Sequence, residues 1–287
     1  MRVIGEAFQR FVAVDWSGAR DPAIQRRSIC CCLVEAEGRA LRVVELAGGL
    51  DRAATVAKLA ALAADPPRTL VGLDFPFSYA EPFLDHLGVP DFPALLGRMR
   101  REAERLEPFV DTTVGPWWQR WGDDRLRTRR VVEQQAATRR AESPLRALPA
   151  AGGAFGFTGP RQVGKAAITG LAAIASLLEQ APRIGVWPFQ ELAGRSMVLG
   201  EIWPRLAVGS VVKTDAAARA RHAADLRQRG IHLAPEHEQA AIASDDAFDA
   251  LVSAVAMGLG GWFPVDRARL PRVARREGWI LGVPWIA

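Results

Sequence analysis

The stretch Phe11-Val12-Ala13-Val14-Asp15-Trp16-Ser17-Gly18 constrains this chain most: an apolar run that ends on a carboxylate and turns at once through small residues. A short run rich in Val and aromatics suits a buried strand better than a helix. Asp15 stands where that strand gives out. A carboxylate there is costly to desolvate unless an arginine, backbone N–H groups or a metal pairs with it. Thr69-Leu70-Val71-Gly72-Leu73-Asp74 repeats the design and is followed by the turn Phe75-Pro76-Phe77-Ser78. Two such strands lying side by side would bring both carboxylates to one edge of a sheet, the edge at which open α/β sheets bind their ligands.

The segments between them fit that arrangement. Ser28–Val34 and Ala40–Leu46 are expected strands joined into a hairpin by Glu37-Gly38-Arg39. Asp51 is placed to cap a helix whose buried stripe is Val56, Leu59, Ala60 and Leu62, ended by Asp65-Pro66-Pro67. Three strands, a helix and a return strand imply parallel pairing through a right-handed crossover. Further strands are expected over Ile184–Phe189 and Met197–Trp203, the latter halted by Pro204. Helices are expected over Ala94–Leu106, Leu126–Arg140, Ala166–Leu178 and about Asp215–Arg229, with an irregular, Arg-rich tail from Trp262. The expected organisation is one α/β domain over 1–287. A helical insertion at about 79–160 would be broken by Pro82, Pro90 and Pro93, with Ala150-Ala151-Gly152-Gly153 as a joint.

A length of 287 residues at 49% hydrophobic allows one large core. No run of 18 apolar residues points to a membrane span, and Met1-Arg2-Val3-Ile4-Gly5-Glu6 lacks the apolar core of a signal peptide, so a cytoplasmic location is expected. Cys30, Cys31 and Cys32 are consecutive on a strand and point to alternate faces, which suits small buried hydrophobes and neither a disulfide framework nor a metal knuckle. His86, His222, His232 and His237 have no metal-ligand spacing. Of the net charge of +5, most falls between Gly97 and Arg146, where 12 arginines face 8 acids among Trp117, Trp118 and Trp121. Arginines interleaved with aromatics suit a nucleic-acid groove, and equally a solvated helix pair with Trp packed beneath. The oligomeric state is open, a dimer included.

Ser244 is placed to cap a last helix, Asp245-Asp246-Ala247-Phe248-Asp249 through Met257, ended by Gly258, Gly260 and Gly261. Asp246 and Asp249 are three apart and share a face. The helix dipole accounts for acids in the first turn, Asp245 and Asp246, and less well for Asp249 on an otherwise apolar helix.

Four motifs in order, Val12 to Gly18, Gly72 to Phe77, Gly200-Glu201-Ile202-Trp203-Pro204 and Asp245 to Ala250, resemble the ribonuclease H-like superfamily through the DUF429 family of predicted nucleases. The resemblance implies a mixed sheet, its first three strands antiparallel and two more parallel to the first. It also implies a site of Asp15, Asp74, Glu201, Asp246 and Asp249. The resolvase branch carries Asp-x-x-Asp on the last helix, as here; it typically has Glu on the fourth strand, where this chain has the shorter Asp74. Phosphodiester hydrolysis develops negative charge on the phosphoryl oxygens, and two Mg²⁺ or Mn²⁺ ions about 3.5–4 Å apart would stabilise it. Such ions need hard oxygen ligands: Asp15 would bridge, Asp74 would hold one ion, and Asp246 or Asp249 the other. Lys165 or Arg161 would neutralise the substrate phosphate, with Ser17, Trp117 and Trp118 as further substrate contacts. The expected function is a metal-dependent nuclease acting on DNA or RNA.

Two other chemistries compete. Gly159-Pro160-Arg161-Gln162-Val163-Gly164-Lys165-Ala166 nearly matches a P-loop, but Ala166 stands where a Ser or Thr hydroxyl would bind Mg²⁺. Asp15-Trp16-Ser17-Gly18 is a loose version of the Asp-x-Gly loop of actin-like and sugar-kinase ATP phosphotransferases, which share the fold. A catalytically inactive nucleic-acid-binding protein is the third reading.

Overall fold

Strand β1, Arg10–Asp15, lies at the centre of the sheet, and its apolar residues are buried on both sides. The computed structural model describes residues 8–106, 109, 138–142, 154–155 and 163–284. The other strands are β2 (Cys30–Glu37), β3 (Ala40–Ala47), β4 (Thr69–Leu73), β5 (Ile184–Val186), β6 (Met197–Glu201) and β7 (Ile231–His232). Among the described residues they form one mixed sheet in the order β5-β6-β4-β1-β2-β3-β7. β1, β2 and β3 run antiparallel in succession, whereas β4 is parallel to β1, and β6 is parallel to both β4 and β5. The hairpin between β2 and β3 turns through Gly38 and Arg39, with Gly38 at φ 64°.

The described helices are α1 (Pro22–Ser28), α2 (Arg52–Ala64), α3 (Glu81–His86), α4 (Phe92–Glu102), α5 (Val163–Gln180), α6 (Arg205–Val208), α7 (Ala216–Gln228), α8 (Pro235–Ala243), α9 (Asp245–Gly258) and α10 (Ala274–Glu277). Strand alternation sends Val12, Val14, Val71, Leu73 and Leu199 to one face, where α2, α4 and α5 pack. It sends Phe11, Ala13, Leu70 and Val198 to the other, under α7, α8 and α9. The three cysteines follow the same rule. Cys31 joins the first core, Cys30 and Cys32 the second, and all three are buried and free.

Several expected boundaries move. The Asp-Pro pair at 21–22 opens α1, with Asp21 accepting from the Ala23 N–H at 2.7 Å, so β2 starts at Cys30 rather than Ser28. Pro93 likewise opens a helix instead of breaking one: Asp91 caps α4 through the Ala94 N–H at 2.9 Å, with the proline in the first turn. Phe83 on α3 and Leu95 and Met99 on α4 enter the same core as β1 and β4, so this part of the stretch from 79 is a layer of the fold. β5 ends at Val186 and β6 at Glu201, both short of their expected ends. α6, β7, α8 and α10 were not anticipated. β7 is two residues long and α6 and α10 four, too short for a periodic signal. Residues 140–142 form a single 3-10 turn; the rest of the helix expected over Leu126–Arg140 lies outside the described residues, apart from 138–139, and so does the joint at Ala150–Gly153. Among the described residues no helix is long and apolar enough to cross a membrane.

Candidate metal centre

Each of the first two aspartates is followed by an aromatic residue, and those aromatics fix where the acids point. Trp16 and Phe75 both belong to the core beneath α5. Their rings lie 5.3 Å apart, and Phe75 meets Phe77 at 5.2 Å. The Trp16 Nε1–H donates to the Thr169 hydroxyl of α5 at 3.4 Å. Alternation then turns Asp15 and Asp74 to the opposite face, towards α9. The Asp74 N–H donates to the Val14 carbonyl at 3.1 Å, which continues the β1–β4 ladder to the strand ends and holds the two acids side by side. On that face Ala13, Gly72 and Gly200 lie in register across β1, β4 and β6. A Cβ on Gly72 would come within 2.5 Å of Ile202 Cγ2 and 3.2 Å of the Met257 methyl, so a small residue there lets α9 settle close to the sheet.

α9 begins as expected. Ser244 accepts from the Ala247 N–H at 3.2 Å, and the first turn carries Asp245 and Asp246. Asp246 and Asp249 come down beside the strand ends. The Asp15 carboxyl stands within hydrogen-bonding reach of both Asp74 and Asp246. Asp249 is 2% exposed; its Oδ2 accepts from the Lys213 ammonium, and its Oδ1 is buried with no hydrogen bond among the described residues. An unsatisfied buried carboxylate oxygen is expensive unless a cation or donor serves it.

The electrostatics follow from this crowding. Burial, then Asp74, Asp249 and Asp246, push the Asp15 carboxyl well above the usual carboxylate range. Burial and the Asp249 charge push Asp74 up to about 7. Asp246 is raised by burial and by Asp245. Asp249 is raised by burial, against the opposing pull of Lys213. Burial works to lower the Lys213 ammonium and is outweighed by Asp249, Asp15 and Asp74, which hold it above its ordinary value. Neighbouring carboxyls that cannot all ionise must share protons or gain a cation.

The structure therefore brings Asp15, Asp74, Asp246 and Asp249 together. Glu201 it treats differently. Glu201 pairs with Leu73, so its side chain falls on the face of Leu73 and Val14, away from Asp15 and Asp74. There it is 3% exposed and fully engaged: Arg139 donates through Nη1 to Oε2 at 2.7 Å and through Nη2 to Oε1 at 2.5 Å, and the Phe77 N–H donates to Oε2 at 2.9 Å. Glu201 thus anchors the turn after Asp74 from the other face of the sheet while its charge still reaches Asp74, because side chains one residue apart on parallel strands in register face opposite ways.

Of the expected substrate contacts, Arg161, Trp117 and Trp118 lie outside the described residues. Ser17 is spent on its own turn: its Oγ accepts from the Ala19 N–H at 3.3 Å and its carbonyl accepts from Arg52 at 3.3 Å. Lys165 lies in the first turn of α5, beside Gly18. A Cβ on Gly18 would meet the Ala166 backbone nitrogen at 2.6 Å and the Lys165 carbonyl carbon at 2.8 Å. Backbone cannot yield as a side-chain tip can, so Gly18→Ala is expected to cost about 1–3 kcal/mol and to lower the melting temperature by several degrees. An unchanged melting curve would remove the close approach as the reason for glycine here. The residues missed from sequence are Lys213, on a loop with no motif, and Arg139, one arginine in an Arg-rich run.

A hard divalent cation suits the chemistry of this donor set: every side chain is a carboxylate, and Asp249 Oδ1 lacks a partner among the described residues. In the arrangement described, Asp249 bonds to Lys213, and among the described residues no three acids are spaced to enclose an ion. No protein-family model matches the chain, and no curated protein or solved structure matches it significantly.

Proposed function

We propose that this chain is a metal-dependent nuclease of ribonuclease H-like fold, related to the DUF429 group, that hydrolyses phosphodiester bonds of DNA or RNA. The observation that carries the reading is the gathering of Asp15 from β1, Asp74 from the end of β4, and Asp246 and Asp249 from α9 into one cluster at the carboxyl edge of the parallel strands. The sheet supports it: β1 to β3 antiparallel, then β4 and β6 parallel to β1, is the arrangement that superfamily uses.

Asp15, Asp74, Asp246 and Asp249 would hold Mg²⁺ or Mn²⁺. The ion, when bound, would stabilise the charge that develops on the phosphoryl oxygens. The protein's own part is positional. Trp16 and Phe75 lock the two strand ends, Ser244 fixes where α9 starts, and Glu201 pins the turn after Asp74. The basic, Trp-rich segment beyond α4 would supply nucleic-acid contacts, and Lys165, in the first turn of α5, would neutralise substrate phosphate from beside Gly18.

The test is Mn²⁺ calorimetry on the wild type and Asp15→Asn, with cleavage of single-stranded, duplex, hybrid and branched substrates alongside. Metal binding and cleavage in the wild type, both lost in Asp15→Asn by about 10³-fold or more in rate, is the expected result; loss of one oriented carboxylate is worth several kcal/mol of transition-state stabilisation. Cleavage indifferent to metal would sink the reading, and ATP binding in its place would promote a phosphotransferase.

A further inference from the structure

Lys213 sits on the segment between α6 and α7, and its position is built rather than incidental. Arg219 of α7 is buried and donates through Nη1 to the Lys213 carbonyl. The same guanidinium donates through Nε and Nη2 to the Ile242 carbonyl, at 2.9 and 2.5 Å, at the end of α8 and just ahead of the Ser244 cap of α9. Arg205 of α6 donates to the Val211 carbonyl at 3.1 Å, tying the other end of the segment. One buried arginine thus couples the loop that carries the lysine to the corner that launches the helix carrying Asp246 and Asp249.

The lysine's own side chain is not buried with the acid it meets. It is 42% exposed, while the Asp249 side chain is 3% exposed. The ammonium therefore covers the cluster from the solvent side, with Asp15 and Asp74 within its field. The choice of residue is informative in this chain. Among 37 basic residues only Lys58, Lys165 and Lys213 are lysines. An arginine fork would hold Asp249 in two parallel bonds and surrender it reluctantly; a lysine is a single hydrated charge on a flexible stem and exchanges partners readily. Among the described residues Asp249 Oδ1 stays unbonded even with the lysine in place, so one ammonium does not satisfy what this carboxylate can give.

We propose that Lys213 is a tethered counter-cation of the carboxylate cluster, which a divalent metal ion displaces from Asp249 and releases to solvent when it binds. The proposal rests on reading the cluster as a divalent-metal site, and not on what the loaded site then cleaves. It explains how four crowded carboxyls persist without metal: the lysine offsets part of their repulsion, at the cost of competing with the ion. Metal affinity would then be set partly by the loop that Arg219 and Arg205 hold, which makes the segment from Gly209 to Asp215 the element that yields on loading.

With three lysines in the chain, amine acylation read by mass spectrometry reports on each one. Mn²⁺ at saturation is expected to raise labelling of Lys213 about fivefold or more in the full chain. Lys58, paired with Glu45 at 2.5 Å away from the cluster, serves as the unchanging reference. In calorimetry Lys213→Met is expected to bind Mn²⁺ about tenfold more tightly, and Lys213→Arg no more tightly than the wild type. Circular dichroism verifies that each variant is folded. Mn²⁺ bound by the wild type with Lys213 labelling unchanged or lowered would overturn the proposal and leave the nuclease reading standing. Release of Lys213 on metal binding, without cleavage of any nucleic acid, would support the proposal and end the nuclease reading. Failure of the wild type and of Lys213→Met to bind any metal would overturn both.

Discussion

Asp15→Asn is expected to raise the melting temperature of the metal-free chain at pH 8 by roughly 5 °C or more, although on the proposed reading the same change would abolish metal binding. Asn keeps the shape and can donate to Asp74 and Asp246, while one of the crowded charges disappears. The sign follows from linkage. Asp15 and Asp74 hold their protons more tightly in the folded chain than in the unfolded one. A group whose folded value is raised contributes stability that is present below its unfolded value, near 4, and is lost as pH rises through the folded value, about 7 for Asp74. The metal-free wild type should therefore lose stability from about pH 4 to about pH 7, and Asp15→Asn should lose less. About 2–4 °C per kcal/mol applies to a domain of this size, so relief of about 2 kcal/mol suffices for the expected rise. Saturating Mn²⁺ should reverse the order, because it stabilises only a chain that binds it. Melting curves at pH 5 and pH 8, in chelator and in Mn²⁺, decide the matter. Equal pH slopes for wild type and variant in chelator would show that the acids are not in one another's field.

That crowding, acids that destabilise the fold as they ionise, also explains which of them could be read from the sequence. Asp15 and Asp74 were visible because a carboxylate closing an apolar strand breaks the local pattern, and such breaks mark places where something besides packing decides the residue. Asp246 and Asp249 were visible because three-residue spacing on a capped helix gives a shared face whatever surrounds it. Lys213 was not, because a lone lysine in a loop breaks no pattern; only the fold brings the segment after α6 back over α9. Glu201 was visible, but its face was not. The sequence shows that it ends a strand, but which face it takes depends on its register against Leu73, and a shift of one residue exchanges the face of Asp74 for the opposite one. α1 could have been read from Asp21-Pro22, a cap followed by the one residue that starts helices well, whereas two-residue β7 exists only because β3 is there to pair with it.

The face Glu201 takes can be tested through its partner. Arg139 is 1% exposed and spends its guanidinium on acids: both oxygens of Glu201, and Glu142 through Nε at 2.8 Å. The segment it belongs to is locked again by Glu277 of α10, which accepts from the Arg140 N–H at 2.7 Å and from the Glu81 N–H of α3 at 2.8 Å. Removing the arginine strands two buried carboxylates, and breaking such a pair from one side costs about 3–5 kcal/mol. Arg139→Met is therefore expected to lower the melting temperature by about 10 °C, and Arg139→Lys by several degrees, since a single ammonium cannot replace the fork. Glu201→Gln still accepts from Phe77 but gives up its charge, leaving Arg139 with Glu142 as its one charged partner among the described residues, so it too should destabilise. Combining Arg139→Met with Glu201→Gln should recover part of the loss, because no full charge then remains unpaired between those two positions. Activity separates this role from the one the sequence proposed. As an anchor, Glu201 can be changed to Gln with less than about a tenfold loss in rate per folded molecule, and with Mn²⁺ affinity nearly intact. As a metal ligand it would lose both by the margin expected for Asp15, at a cost to stability no larger than that of any surface change. A Glu201→Gln chain that melts like the wild type and no longer binds metal would move Glu201 back into the centre and require the β6 end to turn over when the ion enters.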